Sequence, residues 1–323
     1  MLPNLAVYVN VADPGSEPGA RAAERTGYDD GMDYGLILPS LGADATREGI
    51  EAAGEIAERL GFSDVWTTDH LLVDASAADD YGRIFEAITT LAYLAGRTTR
   101  VRLGASVIVV PMRNAVVLAK ELATIDVLSR GRLIAGVGVG WSAAEFANVG
   151  VADRLAVRGA YTDETIGLWR HLWSGATSPF AGRFHTLDDF VFGPLPDQGG
   201  DLPIWIGGRK EAALRRVGRV ANAYHASATN PAGLAERIPV IRAAAEAAGR
   251  PMPALSARVR VRLESPVADD GYAMRGKPSD IAAEIRAFAA LGVGHLALAF
   301  AERDPAGLER AAERFLREVA PLV

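Results

Sequence analysis

The stretch Val101-Arg-Leu-Gly-Ala-Ser-Val-Ile-Val-Val110, the helix-spaced segment 116–128 and Leu133-Ile-Ala-Gly-Val-Gly138 read in order as strand, helix, strand. Neither apolar run alternates, as expected of parallel strands covered on both faces. Working outward, the same unit recurs. Strand-like runs fall at 34–39, 64–68, 101–110, 133–138, 203–207, 223–227, 255–264 and 295–300. Helix-spaced segments fall at 47–60, 84–95, 116–128, 157–173, 211–220, 232–248, 280–291 and 305–319. Eight such pairs within one chain favour an α/β fold closed as a (β/α)₈ TIM barrel with insertions over an open doubly wound sheet.

Composition sets the outer limits. The 323 residues are 49% hydrophobic and 23% charged, a balance that buries a large core. The net charge of -6 comes without a basic cluster, so neither nucleic acid nor an anionic membrane is an expected partner. The absence of cysteine excludes disulfides, thiolate metal sites and cysteine nucleophiles together. No apolar run is long enough to span a bilayer, and Met1–Asn10 lacks the cationic start of a signal peptide, so a cytoplasmic location is expected.

Residues 1–33 carry the breaker clusters Asp13-Pro14-Gly15, Glu17-Pro18-Gly19 and Asp29-Asp30-Gly31 and read as a flexible N-terminal extension to one domain, 34–323. A chain beginning near Asp33 is therefore expected to keep its melting temperature; a large drop would show that the extension packs on the barrel.

Three connections are longer than barrel units need: 69–83, 139–155 and 174–202. The first two leave the C-terminal ends of strands, where barrels build their sites. The third follows a helix, and its 180–192 stretch with Gly182 as turn reads as a hairpin, either decorating the surface or reaching elsewhere.

Four places carry candidate chemistry. Gly136-Val-Gly-Val-Gly140 ends a strand, where Gly138 and Gly140 offer backbone to a flat ring or a phosphate, or simply form a tight turn. It lacks the full dinucleotide fingerprint. Ile206-Gly-Gly-Arg-Lys-Glu211 passes from strand to helix, so the amides of Gly207, Gly208 and Arg209 are placed to converge on an anion, with the Arg209 guanidinium beside them. Asp69-His70 closes the second strand, placing an imidazole at the barrel mouth to exchange a proton or bond a substrate oxygen. Neighbours on a strand point to opposite faces, which makes Asp69 the less certain member of the pair. Trp141 offers an apolar wall that suits a hydrophobic or aromatic substrate. The histidines His70, His171, His185, His225 and His295 show no close ligand spacing, so no metal is expected and a metal-dependent barrel hydrolase is disfavoured. A barrel without catalysis, serving only to bind, is the remaining alternative from another class.

Glu121–Trp141, with Leu103–Pro111 and Arg113-Asn114 before it, resembles the luciferase-like monooxygenase superfamily. So do Trp66-Thr-Thr-Asp-His70, Gly182-Arg-Phe-His185, Phe192-Gly-Pro194 and Pro203-Ile-Trp-Ile-Gly-Gly208. The resemblance covers about residue 34 to the C-terminus. It implies a (β/α)₈ barrel holding coenzyme F420 or FMN at its C-terminal mouth, with the cofactor phosphate at the Gly207–Arg209 loop. It further implies that Ser106-Val107 forms a cis, bulged peptide against the ring and that the Asp69-His70 pair lies beside it. The expected activity is F420-dependent hydride transfer to or from a small organic substrate, the alternative being FMN-dependent monooxygenation with a partner reductase. Homodimers are common among such relatives. Two departures stand against a sugar-phosphate substrate: Trp141 replaces a proton-donating Glu, and Asp74 replaces a tryptophan.

Overall fold

A computed structural model describes residues 31–265 and 271–323. Residues 1–30, most of the expected extension, lie outside the described residues. The chain opens with β1 (Asp33–Ile37), α1 (Arg47–Leu60) and β2 (Asp64–Thr67), followed by a short α2 (Ala78–Tyr81) and α3 (Ala87–Ala95). The third barrel strand is interrupted, running as β3 (Arg102–Ala105) and β4 (Ile108–Val109) on either side of Ser106-Val107, and α4 (Ala115–Ser129) follows. Next come β5 (Leu133–Gly138), α5 (Ala143–Asn148), α6 (Arg154–Trp173) and the hairpin β6 (Phe180–Ala181) and β7 (Thr186–Leu187). The second half contains β8 (Ile204–Ile206), α7 (Glu211–Val220), β9 (Ala223–Ser227), α8 (Pro231–Ala235), α9 (Ile238–Ala247) and β10 (Ala254–Leu263). It ends with β11 (Ala273–Gly276), α10 (Pro278–Ala289), β12 (Val293–Ala299) and α11 (Pro305–Glu318).

The barrel strands pair in parallel, in the order β12, β1, β2, β3, β5, β8, β9, β10, and the β10–β12 and β9–β10 pairings close the ring. The fold is therefore the (β/α)₈ barrel that the alternating pattern predicts. Among the described residues, no helix is long and apolar enough to cross a membrane.

Two cores stack concentrically. Between sheet and helices lies an aliphatic shell that includes Leu36, Val65, Leu103, Leu122, Ile204 and Phe288. Inside the ring, Trp66 and Trp205 pack with Ile37, Ile134, Ala223 and Ala297. A lumen this small holds an indole only where a facing strand gives up its side chain. Gly104 does so, since a Cβ there would stand 2.4 Å from Trp66 Cζ3.

The element boundaries move for physical reasons. The helix expected at 84–95 starts at Ala87, because the Glu86 carboxylate caps the amides of Ile88 and Thr89. The helix expected at 232–248 is two, α8 and α9; Pro239 has no N–H to continue a helix and sits in the first turn of α9. The 180–192 hairpin forms with Gly182 at its turn and decorates the surface of α6: the Glu164 carboxylate accepts from the amides of Arg183, Phe184 and His185. The short strand β11 beside β10 has no counterpart in the sequence reading.

Candidate active site

The C-terminal ends of the strands and the two long loops after β2 and β5 form the mouth. A cavity of about 730 Å³ opens there, lined among others by Thr68, Tyr81, Ser227, Arg258 and Arg303.

His70 is 8% exposed, and its Nδ1 lies 2.9 Å from Oε2 of the fully buried Glu145. Helix α5 delivers this carboxylate: Ser142 caps the helix, its Oγ accepting from the amide of Glu145. The other oxygen, Oε1, accepts from the Leu71 amide at 2.6 Å. Burial alone would raise the Glu145 pKa, but the bonds from His70 and the Leu71 amide outweigh it and hold the carboxyl below its ordinary value. An ionised Glu145 accepts only, so Nδ1 of His70 carries hydrogen and Nε2 is the nitrogen left for other partners. Rings enclose this imidazole. Tyr81, carried by α2, lies 4.4 Å away between centroids, and Trp141 meets it edge-on at 5.8 Å. Trp141 is 60% exposed and forms an apolar wall at the rim, beside His70.

The Asp69 carboxylate is engaged away from His70: Oδ2 accepts from the Val109 amide at 2.8 Å, and Oδ1 pairs with Arg113 at 2.6 Å. Arg113 also bonds Glu86 at 2.6 Å. Asp69, two residues beyond the end of β2, therefore ties this loop to β4 and to Arg113.

Ser106-Val107 is a cis peptide, as the resemblance implies. Arg258 Nη1 donates to the Ser106 carbonyl at 3.0 Å, and the Ser106 hydroxyl lies 2.9 Å from His225 Nε2. Burial lowers the Arg258 pKa; Tyr81 opposes this and Arg260 and Arg303 add to it, leaving a value of about 10, so the guanidinium stays charged at neutral pH. The Val107 side chain enters the space between the ends of β5 and β8. A Cβ on Gly138 would stand 2.3 Å from Val107 Cγ2, and one on Gly207 would stand 3.2 Å from its Cγ1.

At the glycine run, the room left at Gly138 is taken by Val107, and Gly140, at φ 72°, lies against Val109 and Phe146. Gly207 and Gly208 precede α7 as expected, and Tyr224 Oη donates to the Gly208 carbonyl at 2.8 Å. Lys210 at the N-cap of α7 makes no side-chain cap bond, so the first-turn amides have no side-chain acceptor from it. Arg209 stands exposed beside them.

Sequence reasoning missed Glu145 and Tyr81. The Ser142-Ala-Ala-Glu145 spacing was a visible signal for a helix start, with Glu at the third position. It gave no sign that the carboxylate turns to His70, 75 residues away in sequence. Asp74, noted as a departure, caps the short turn at Ala75–Ala77 through Ser76.

Comparison with known proteins agrees with this architecture. The luciferase-like monooxygenase family model matches residues 32–314. An F420-dependent glucose-6-phosphate dehydrogenase of Kineococcus radiotolerans is 30% identical over 215 residues, 64% of this chain and 61% of that protein. Among solved structures, the F420-dependent tetrahydromethanopterin reductase of Methanopyrus kandleri superposes with a TM-score of 0.74 at 19% identity, covering 90% of this chain and 99% of that one. The FMN-bound oxygenating component of a Pseudomonas putida diketocamphane monooxygenase superposes at 0.75 and 17% identity, covering 90% and 98%. With a family match over nearly the whole described barrel, the chain belongs to the luciferase-like monooxygenase family.

Proposed function

We propose that this protein is an F420-dependent oxidoreductase that passes a hydride to or from a small organic substrate at the barrel mouth. The observation that carries the reading is His70, oriented by buried Glu145 and walled by Tyr81 and Trp141, at the rim of the same mouth as the Ser106-Val107 bulge. The residues present fit a bound deazaflavin or flavin. Thr68 Oγ1 is buried on the cavity wall without a hydrogen-bond partner, and the start of α7 lacks a side-chain cap, suiting the phosphate end of such a group.

When bound, the cofactor supplies the hydride or the oxygen chemistry, and the protein supplies orientation and electrostatics. His70 Nε2 gives a proton to the substrate oxygen or takes one from it. Glu145 fixes the tautomer that makes this possible. Tyr81 and Trp141 exclude water from that side and select an apolar or aromatic substrate body. Arg258 holds the Ser106 carbonyl, and with it the bulge, at the floor of the mouth.

The FMN reading, with reduced flavin supplied by a partner reductase, is favoured by the likeness to an FMN-bound monooxygenase. Parallel spectral titrations with F420 and FMN decide between them. Tight binding of F420 and not FMN is expected; the opposite result selects the monooxygenase, and binding of neither removes both readings. Arg209→Ala is expected to raise the Kd of the bound cofactor roughly 5- to 150-fold, about 1–3 kcal/mol, as loss of a charge-assisted bond to phosphate should. An unchanged Kd removes Arg209 from the site.

A further inference from the structure

Below the mouth, a file of side chains crosses the barrel lumen. Ser106 Oγ lies 2.9 Å from His225 Nε2, and His225 Nδ1 lies 2.8 Å from Ser256 Oγ. Ser256 Oγ lies 2.8 Å from His295 Nδ1, and His295 Nε2 lies 2.9 Å from Asp64 Oδ1. Asp64 Oδ1 also accepts from Trp66 Nε1, while Oδ2 accepts from the Ser63 hydroxyl at 2.8 Å and from Arg102 at 2.9 Å. The barrel register sets this arrangement, because Ser256 stands opposite His225 on one neighbouring strand and opposite His295 on the other. Gly35 leaves the room: a Cβ there would stand 1.9 Å from Asp64 Oδ1 and 3.0 Å from His295 Nε2. The middle of the file is closed off from the surface, with Ser256 and His295 fully buried and His225 nearly so. It nears solvent only at its ends, at Ser106, which is 8% exposed, above and at the partly exposed Ser63 and Arg102 below.

The donor and acceptor inventory leaves little freedom. Asp64 takes bonds from four donors, and His295 together with Arg102 and Ser63 outweighs the upward push of burial, so its carboxyl lies well below the usual range and is ionised. His225 is held neutral: burial first, then His295 and Arg258, push its pKa down to about 3 against the opposing Asp64. Two arrangements then satisfy every bond, and they differ by one proton. With His295 neutral, its Nε2–H donates to Asp64, Ser256 donates to His295 Nδ1, His225 Nδ1–H donates to Ser256, and Ser106 donates downward to His225 Nε2. With His295 doubly protonated, its Nδ1–H donates to Ser256, Ser256 donates to His225 Nδ1, and His225 Nε2–H donates to Ser106. The Ser106 hydrogen is then free to turn toward the mouth.

We propose that Ser106, His225, Ser256 and His295 form a proton relay inside the barrel, anchored by Asp64, in which a proton held on His295 converts the Ser106 hydroxyl from an acceptor to a donor at the floor of the mouth. The step balances. A water-derived proton enters at the mouth, because Nε2 of neutral His295 already carries its hydrogen toward Asp64: it binds the Ser106 oxygen as Ser106 passes its own hydrogen to His225 Nε2, the His225 Nδ1 hydrogen passes to Ser256, and the Ser256 hydrogen passes to His295 Nδ1. The Ser106 O–H bond breaks as a bond from that hydrogen to an anionic ligand atom forms, and Ser106 takes the His225 Nε2 proton. His225 Nδ1 takes the Ser256 proton, and Ser256 takes the Nδ1 proton of His295, which returns to neutral. The positive charge stored on His295 has returned to the mouth, with no net change in the relay. The destination of that charge rests on the reading that a flavin-type ring lies over Ser106; the coupled switch inside the protein does not.

The groups facing His295 are Asp64 and Trp66 from β2, Ser256 from β10 and Trp205 from β8. Those facing His225 are Ser106, Ser256, Trp66 and Trp205, with Arg258 and His295 acting through space. The test follows the protonated nitrogens by NMR of the full chain labelled with ¹⁵N-histidine, free of cofactor. Above neutral pH the hydrogen is expected on Nδ1 of His225 and on Nε2 of His295. On acidification His295 gains a second hydrogen and, in the same transition, the hydrogen of His225 moves from Nδ1 to Nε2 although His225 gains none. In Ser256→Ala, His295 still titrates and His225 no longer changes tautomer. A fixed His225 tautomer through the His295 transition overturns the relay. So does a switch that persists in Ser256→Ala, or a His295 that takes up no proton before the protein unfolds. Adding reduced F420 or reduced FMN at constant pH then tests the destination: the charged fraction of His295 falls on binding if the ring accepts the proton. If neither cofactor binds, the functional reading fails while the switch in the free protein still stands or falls by its own spectra.

Discussion

Substituting Asn for His70 is expected to lower turnover by about 10²–10⁴-fold, the range for loss of a positioned proton-transfer group, while cofactor affinity changes little. The expectation rests on the single orientation that Glu145 imposes. The bond from Nδ1 to Oε2 is 2.9 Å long and buried, so Nε2 is the nitrogen left to meet a substrate. Asn retains an amide donor near Nδ1 and removes Nε2, which separates chemistry from packing. Glu145→Gln should cost less turnover than His70→Asn, since the amide still accepts a hydrogen bond but no longer stabilises an imidazolium. Steady-state rates and cofactor titrations on the three proteins check this. If His70→Asn loses cofactor binding and turns over normally when saturated, His70 belongs to the cofactor site; if neither quantity changes, it is structural.

The largest stability effect is expected at Asp69. Its side chain is 1% exposed and pairs with Arg113, itself 12% exposed, and it also takes the Val109 amide. Asp69→Ala leaves a buried guanidinium with Glu86 as its remaining partner and strands a buried N–H, so the unfolding free energy should fall by about 3 kcal/mol. Asp69→Asn, which keeps an acceptor for Val109, should fall by less. Urea denaturation of the three proteins measures both. If Asp69→Ala is as stable as the parent yet inactive, its carboxylate acts in the chemistry after all.

The contrast between these neighbours shows where sequence reading ends. Both stand just beyond β2, which ends at Thr67, so the strand alternation expected at the pair does not reach them. What each side chain meets was not legible. The partner of His70 comes from α5, 75 residues on, and the partner of Asp69 from the segment before α4, 44 residues on.

The sequence by itself determined the barrel and its polarity, because unalternating apolar runs between helix-spaced segments have one economical closure, and the short range over which a strand or helix pattern acts is enough to read it. It also determined that the long loops after β2 and β5 sit at the mouth. Tertiary structure alone decided three things. It brought Glu145 under His70, filled the room at Gly138 with Val107, and lined up Asp64, His295, Ser256 and His225 through the lumen. Each depends on the register in which distant strands close, and a contact between residues far apart in the chain leaves no local periodicity to read.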